Sequence, residues 1–458
     1  MRIESGLLVK KGFYLVMVAQ GLSSLADNAL LIAAIALVAQ LQGPDWMIPL
    51  MKWWFALAYV ALAAFVGALA DSLPKGRVMF LTNAIKIAGC VLMFSHEAFG
   101  GGAHAQLCLV FVAYTLVGIG AAAYSPAKYG IVTEMLAPED LVKGNSWIEG
   151  LTVLSIIVGT VVGGVLINPD VSAILIKTGW IAAVADNRTQ AAIFLIGLIY
   201  LAAAVVNLLI PRTHVVYPTQ RASPIRMVRQ FAGYVRILWS DRLGQISLAV
   251  TTLFWGAGAT LQFIVIEWGA RHLNYRLDQA SILMGVAALG TVGGAILAGR
   301  VPLRRALSVL PMGVVMGLAV MLMPVVQKGW SVYAVLLLIG GLSGYFVVPM
   351  NALLQHRGHY LLSAGHSIAV QNFNEQTNIL LMLTIYSLML WFNLPINVII
   401  VIFGLLVAGL MVLIIMWNRH NHRLDPGLSG QIGQKGHGQA LGLAPAADGR
   451  DSTAPLSQ

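Results

Sequence analysis

Charge is scarce in this sequence. Of its 458 residues only 10% are Asp, Glu, Lys or Arg, while 58% are hydrophobic. A soluble domain carries about 25% charged residues, so a water-facing globule is excluded. Cysteine is nearly absent: Cys90 and Cys108 are the two present, each in an apolar stretch. Two such thiols exclude a disulfide framework, and without ligand-spaced neighbours they exclude a cysteine-held metal site. Both read as packing residues. A glycine-rich phosphate loop is missing, as is an acyltransferase-type H-x₄-D pattern; His356, for instance, is followed by "RGHYL". The residues therefore point away from an enzyme and call for no cofactor and no metal. A net charge of +10 suggests nucleic acid in a soluble protein. Here it fits basic loops at one membrane face, with no nucleic-acid partner.

Long apolar runs are what the sequence has in plenty. About 20 apolar residues suffice to cross a bilayer as a helix. Twelve candidate spans are legible, at about 13–41, 47–70, 78–95, 105–126, 145–167, 190–210, 243–268, 279–299, 306–325, 331–350, 367–391 and 396–417. Only helices and closed barrels satisfy the backbone in lipid, so the expected fold is an all-α membrane protein. The opening "MRIESGLLVKKGFYLVMVAQ" is basic and then apolar, but its apolar run outlasts a signal peptide's, and it reads as an uncleaved first span. With both termini on the cytoplasmic side, nineteen Lys and Arg fall on that side and six on the other, Lys86 and the tail aside. That asymmetry is what the positive-inside rule demands. Lys52 is among the six assigned to the outer side.

A basic stretch over 211–242 divides the spans into two sets, residues 1–210 and 243–420. It reads either as an ordinary basic linker or as a short amphipathic helix drawn to anionic lipid on the inner leaflet. The tail, 421–458, is rich in Gly, Ala, Pro and Gln and reads as disordered. The two sets repeat. Span 2 ends in "GALADSLPKGR" and span 8 in "GAILAGRVPLRR", about 227 residues later. Span 4 leaves through "YSPAKYGIVTE" and span 10 through "VVPMNALLQHR", about 223 later. Spans 5 and 11 open with "GNS" and "GHS". The shared offset predicts two pseudo-symmetric six-helix halves, the plan of transporters that rock around a central site.

In "GALADSLPKGRVMF", Gly67 suits close helix packing, Asp71 stands at the inner end of span 2, and Lys75 and Arg77 follow a Pro-Gly turn. The pattern resembles the loop between spans 2 and 3 of the major facilitator superfamily, where it latches the halves on the cytoplasmic side. In "YSPAKYGIVTE", Pro126 is expected to end a helix and Lys128 to reach a phosphate or carboxylate at the inner surface. Together with "LADNALL", "GIGAAAYSPAKYG", "LFWGAGATLQF", "VVPMNALLQHRG" and "IAVQNFNEQ", these stretches are similar to the bacterial lysophospholipid transporters over roughly residues 12–420. The resemblance implies a multi-pass protein of the bacterial inner membrane. It implies inward movement of lysophospholipids, chiefly lysophosphatidylethanolamine, by alternating access. A separate acyltransferase at the cytoplasmic face would then reacylate the product. Where the family carries a basic residue in span 7, this sequence has Gln262, so no charge-pair role carries over to it. Gly150, Gly159, Gly163 and Gly164 of span 5 lack the proline of an antiporter pattern and read as packing. The rival within the same fold is a proton-coupled exporter of drugs or small metabolites.

Ionisable groups inside a membrane are functional candidates and face the bundle interior. At 1.5 Å per residue, Asp27 and Asn28 lie roughly 21 Å along span 1, and Lys86 and Glu375 roughly 12 Å along spans 3 and 11. Gln371, Asn372, Asn374, Gln376 and Asn378 surround Glu375. The candidate substrate or gating residues are thus Asp27, Asn28, Lys86, Lys128, Gln262, Gln371, Asn372 and Glu375; the candidate latch is Gly67, Asp71, Lys75 and Arg77. A carboxylate suits an ethanolamine ammonium, and a lysine a phosphate. The alternative for Asp27 and Glu375 is a buried structural pair, for example with Lys86. Glu267 and Arg271 read as an i,i+4 helix pair, and Glu149 as a partner of the inner loops.

Overall fold

A computed structural model describes residues 2–100, 102–136, 141–177, 179–213, 223–327, 329–362 and 364–432. Helices dominate these residues and no strand occurs among them. The first half holds α1 (Arg2–Gln40), α2 (Ile48–Leu62), α3 (Val66–Ser72), α4 (Lys75–Phe94), α5 (Ala103–Met135) and α6 (Leu141–Ile167). The short α7 (Pro169–Lys177) and α8 (Gly179–Ala182) then lead to α9 (Arg188–Leu208). A connecting helix α10 (Pro224–Ser240) precedes the second half: α11 (Gly244–Arg271), α12 (Leu277–Ala298), α13 (Leu310–Val320), α14 (Trp330–Leu361), α15 (Ala364–Trp391) and α16 (Ile396–Leu424).

Among the described residues ten helices are long and apolar enough to cross a membrane. The other two spans fall short for visible reasons. Span 2 is split into α2 and α3 by a turn at residues 63–65, closed by a Phe65 N–H to Leu62 C=O bond of 2.8 Å. Span 11 (α15) carries the polar run "QNFNEQTN". The halves meet along two seams, α2 on α15 and α6 on α12. Within the first half, α1 lies close on α6, where Gly159 and Gly163 leave room for the backbone of Leu25 and Ala29.

Some expectations need correction. Pro126 does not end its helix: α5 runs through it to Met135, and Pro349 sits likewise inside α14. Inside a membrane bundle, neighbours compensate the lost backbone bond and water does not compete for it. These prolines occupy equivalent places in the two halves. Nor is Gly67 a close-packing site: a Cβ there would meet nothing within 4 Å. Lys52 lies in the first turns of α2, within the expected span 2, and is half-buried. Cys90 is buried with its thiol on the Ile193 carbonyl (3.3 Å), whereas Cys108 is exposed on α5. The expected tail begins too early. α16 continues to Leu424, and Leu428 and Ile432 are buried in the core cluster. Residues 433–458 lie outside the described residues.

The linker's amphipathic character has a protein explanation. α10 turns Phe231, Tyr234, Val235, Leu238 and Trp239 onto buried Leu248, Leu354 and Val370. Phe231 stands edge-on to Phe373 at 5.4 Å. Its apolar face is thus covered by the second half rather than by lipid, although Ile225 and Val228 remain exposed.

Candidate functional site

The deep charges come together in the first half. Lys86 of α4 places Nζ 2.8 Å from Asp27 Oδ2 of α1. Tyr200 of α9 donates its hydroxyl to Asp27 Oδ1 at 2.7 Å. Lys86 also donates to Ser23 Oγ at 2.9 Å, and Ser23 donates to Asn83 Oδ1 at 2.7 Å. The ammonium lies 5.3 Å from the ring centre of Tyr124 and 5.6 Å from that of Tyr200, a cation–π arrangement. Exposure is unequal: the Lys86 side chain is 2% exposed and that of Asp27 15%. The lysine is enclosed, and the carboxylate keeps a small exposed edge. Beside the pair, Asn83 Nδ2 and Tyr124 OH are buried without a protein partner among the described residues.

Helical periodicity builds this cluster. Ser23 and Asp27 are four apart on α1, and Asn83 and Lys86 three apart on α4, so each pair shares a face. Asn28 turns away: it bonds to the Ser24 carbonyl of its own helix at 2.9 Å and is buried against α6. Ser23, Asn83, Tyr200 and Tyr124 are the members that sequence reading missed. The i,i+4 and i,i+3 polar spacing was a usable signal for Ser23 and Asn83. A tyrosine in an apolar span gave none.

The other candidates lie elsewhere. Gln371 donates to Glu375 Oε1 at 2.7 Å and to Asn351 Oδ1 at 3.0 Å, which keeps buried Glu375 within a second-half network. Asn372 reaches Ser125 Oγ of α5 at 3.3 Å and so bridges the halves. Asn374 accepts from Trp239 of α10 at 3.0 Å, and Asn378 donates to the Thr252 carbonyl at 2.9 Å. Much of the polarity of α15 therefore joins helices. Lys128 is buried, with its ammonium 4.3 Å from the ring centre of Tyr129. Gln262 faces Lys52 across the halves, Nζ to Oε1 3.5 Å, and its Nε2 is buried without a partner among the described residues. A cation thus does stand beside Gln262, supplied by α2.

At the end opposite the termini, polar bonds tie the halves. Arg271 pairs with both Asp45 and Glu267. Ser387 donates to the Trp46 carbonyl, Trp53 to Thr384 Oγ1 at 2.9 Å, and Asn168 to Asp278 Oδ2 at 2.7 Å. The expected Glu267–Arg271 helix pair is present, and Asp45 extends it across the seam. Of the latch residues, Lys75 is buried, donates to the Ala70 carbonyl at 3.0 Å and lies 3.9 Å from Glu134 of the same half. Arg77 is exposed. The side chains of Asp71 and Glu149 lie outside the described residues.

Residues 12–374 match the family model "Major Facilitator Superfamily". Among solved structures, a mutant form of the nucleoside transporter NupG superposes with a TM-score of 0.62 at 13% identity, covering 90% of this chain and 99% of that one. A bacterial homolog of the human lysosomal transporter Spinster, inward-facing and occupied, gives 0.63 at 13% identity, covering 91% and 97%. These likenesses establish the fold. In sequence, the chain is 40% identical over 422 residues to the lysophospholipid transporter LplT of Cronobacter sakazakii (strain ATCC BAA-894), covering 91% of this chain and 98% of that protein. It is 41% identical over 385 residues to the LplT of Serratia proteamaculans (strain 568), covering 83% and 89%. With this fold and this similarity along nearly its whole length, the chain is a multi-pass membrane protein that belongs to the lysophospholipid transporter family of the major facilitator superfamily.

Proposed function

We propose that this protein carries lysophospholipids, lysophosphatidylethanolamine foremost, from the outer to the cytoplasmic leaflet of the bacterial inner membrane by alternating access. The termini lie in the cytoplasm, and a separate acyltransferase there consumes the product. The observation that carries this reading is the Asp27–Lys86 pair, held between apolar helices with the carboxylate partly exposed and the ammonium enclosed. A zwitterionic headgroup is itself an ammonium–phosphate pair. Exchanging one pair for the other, with the ammonium on Asp27 and the phosphate on Lys86, keeps every charge matched throughout. No bare charge is left in a low-dielectric site, where it is most costly. Tyr200 and Ser23 hold the two groups in place before substrate arrives. Lys52, beside Gln262 at the seam, offers the phosphate a second cation.

The bonds around Arg271, Trp53 and Asn168 form the outer gate in this reading. Two states of that gate, biased by the headgroup, are what alternating access requires. The test is uptake of labelled lysophosphatidylethanolamine by reconstituted vesicles bearing Asp27→Ala or Glu375→Ala. Loss with Asp27→Ala supports the headgroup site. Unchanged uptake in both variants removes both carboxylates from the mechanism. Uptake driven by an imposed pH gradient assigns Asp27 to proton coupling instead.

A further inference from the structure

A second charged feature lies far from the interior. At the terminus end of the second half, a cavity of about 470 Å³ is lined by Arg304, Arg305, Ser308, Arg419, His422 and Arg423, with Leu307 and Asn418. Among the described residues no carboxylate lines it. None of the four arginines belongs to an ion pair among the described residues, and all four are exposed. The nearby acid Asp425 is directed to Arg242, 3.6 Å away. The positive-inside rule accounts for basic residues at this face. It does not account for four arginines lining one open pocket with no acid among the lining residues.

The walls say what kind of anion fits. α13 and α16 are pressed together, Gly317 leaving room for the backbone of Ala408 and Gly404. On α16 the exposed Val412 and Met416 lead at helical spacing to Arg419 and Arg423. From Arg304 and Ser308, which precede α13, exposed Val315 and Leu318 continue along it, with exposed Leu322 just beyond its end, all within the apolar stretch Leu303–Val325. Each basic wall is therefore the end of an outward, apolar stripe of a membrane-spanning helix. An anion seated here has its charge at headgroup depth and an apolar surface below it for acyl chains. Ser308 and Asn418 add hydroxyl and amide groups, and Asn418 Oδ1 is buried without a partner among the described residues. His422 is anchored through Nδ1 on the Asn418 carbonyl at 3.0 Å.

We propose that this cavity is a binding site for the headgroup of an anionic, glycerol-bearing diacyl phospholipid. The guanidinium groups take the phosphate in charge-assisted, fork-shaped bonds. The Ser308 and Asn418 groups take headgroup hydroxyls. The lipid is resident and not in transit: α13 and α16 lie away from the α2–α15 and α6–α12 seams at which the halves meet and at which the proposed alternating access would move them. The same phosphate chemistry would also admit free inorganic phosphate, so the test separates the two.

The experiment is native mass spectrometry of the full chain with dioleoylphosphatidylglycerol or dioleoylphosphatidylcholine. The wild type is expected to retain the anionic lipid and not the zwitterionic one. Arg304→Gln/Arg423→Gln should weaken phosphatidylglycerol binding at least tenfold. Arg226→Gln/Arg229→Gln, which removes equal charge from exposed positions of α10, should leave it unchanged. Equal effects of the two double variants, or equal retention of the two lipids, would overturn the proposal. So would displacement of the lipid by millimolar inorganic phosphate, which would make the site one for a soluble anion. If Arg304→Gln/Arg423→Gln does not fold, the wild-type lipid preference and the phosphate competition decide the matter alone.

Discussion

Neutralising either member of the Asp27–Lys86 pair should not cost the same. Removing one partner of a buried ion pair costs about 3–5 kcal/mol, because the survivor is left as an uncompensated charge. Here the survivors differ. Asp27→Asn strands the Lys86 ammonium, 2% exposed, with Ser23 Oγ and two ring faces around it. That variant belongs at the upper end of the range. Lys86→Met strands the Asp27 carboxylate, which keeps the Tyr200 hydroxyl and is 15% exposed. Hydration through that edge should lower the cost to about 1–3 kcal/mol, the penalty of a poorly paired polar group. The double variant Asp27→Asn/Lys86→Met has no stranded charge and should be more stable than Asp27→Asn alone. Thermal unfolding of the purified protein in detergent, run as a double-mutant cycle, reads all three. Additive losses, or a greater loss in Lys86→Met than in Asp27→Asn, would refute the picture of an enclosed lysine facing a half-open carboxylate.

Other consequences are equally direct. Arg271→Ala removes the link between Asp45 and Glu267 at the proposed outer gate; in a Cys90→Ser/Cys108→Ser background, labelling of Trp53→Cys by a membrane-impermeant maleimide should then rise several-fold. Lys52→Met should raise the KM for lysophospholipid with little change in thermal stability, since its one bond to Gln262 is 3.5 Å long. At the α12–α14 contact, Gly344→Ala would drive a Cβ into the Thr291 carbonyl and should cost about 1–3 kcal/mol. Gly293→Ala, where a Cβ meets nothing within 4 Å, should be neutral or stabilise by about 0.5–1 kcal/mol.

Hydropathy made the spans and their division legible, because the bilayer imposes length and apolarity on every helix. The offset of the repeats was legible too, and Pro126 and Pro349 show it again inside α5 and α14. Asp27 and Lys86 stood out as charges in apolar runs. Their meeting did not, because it depends on how α1 packs against α4 and α9. Lys52 was legible as a charge near the loop end of span 2, but not its approach to Gln262 on α11 of the other half, which depends on how the halves pack. The Asn and Gln of α15 looked like one polar site. In the bundle they divide among α5, α10, α11 and α14, since successive residues on a helix point about 100° apart. The linker's amphipathic pattern was visible, but nothing local distinguishes a membrane surface from a protein groove as its cover.

Vesicles reconstituted with the purified protein and given labelled lysophosphatidylethanolamine in the outer leaflet test the central claim most directly. Transfer to the opposite leaflet, saturable and abolished by Asp27→Ala, is the expected result. Protein-containing vesicles that move no lysophospholipid faster than empty ones would contradict it.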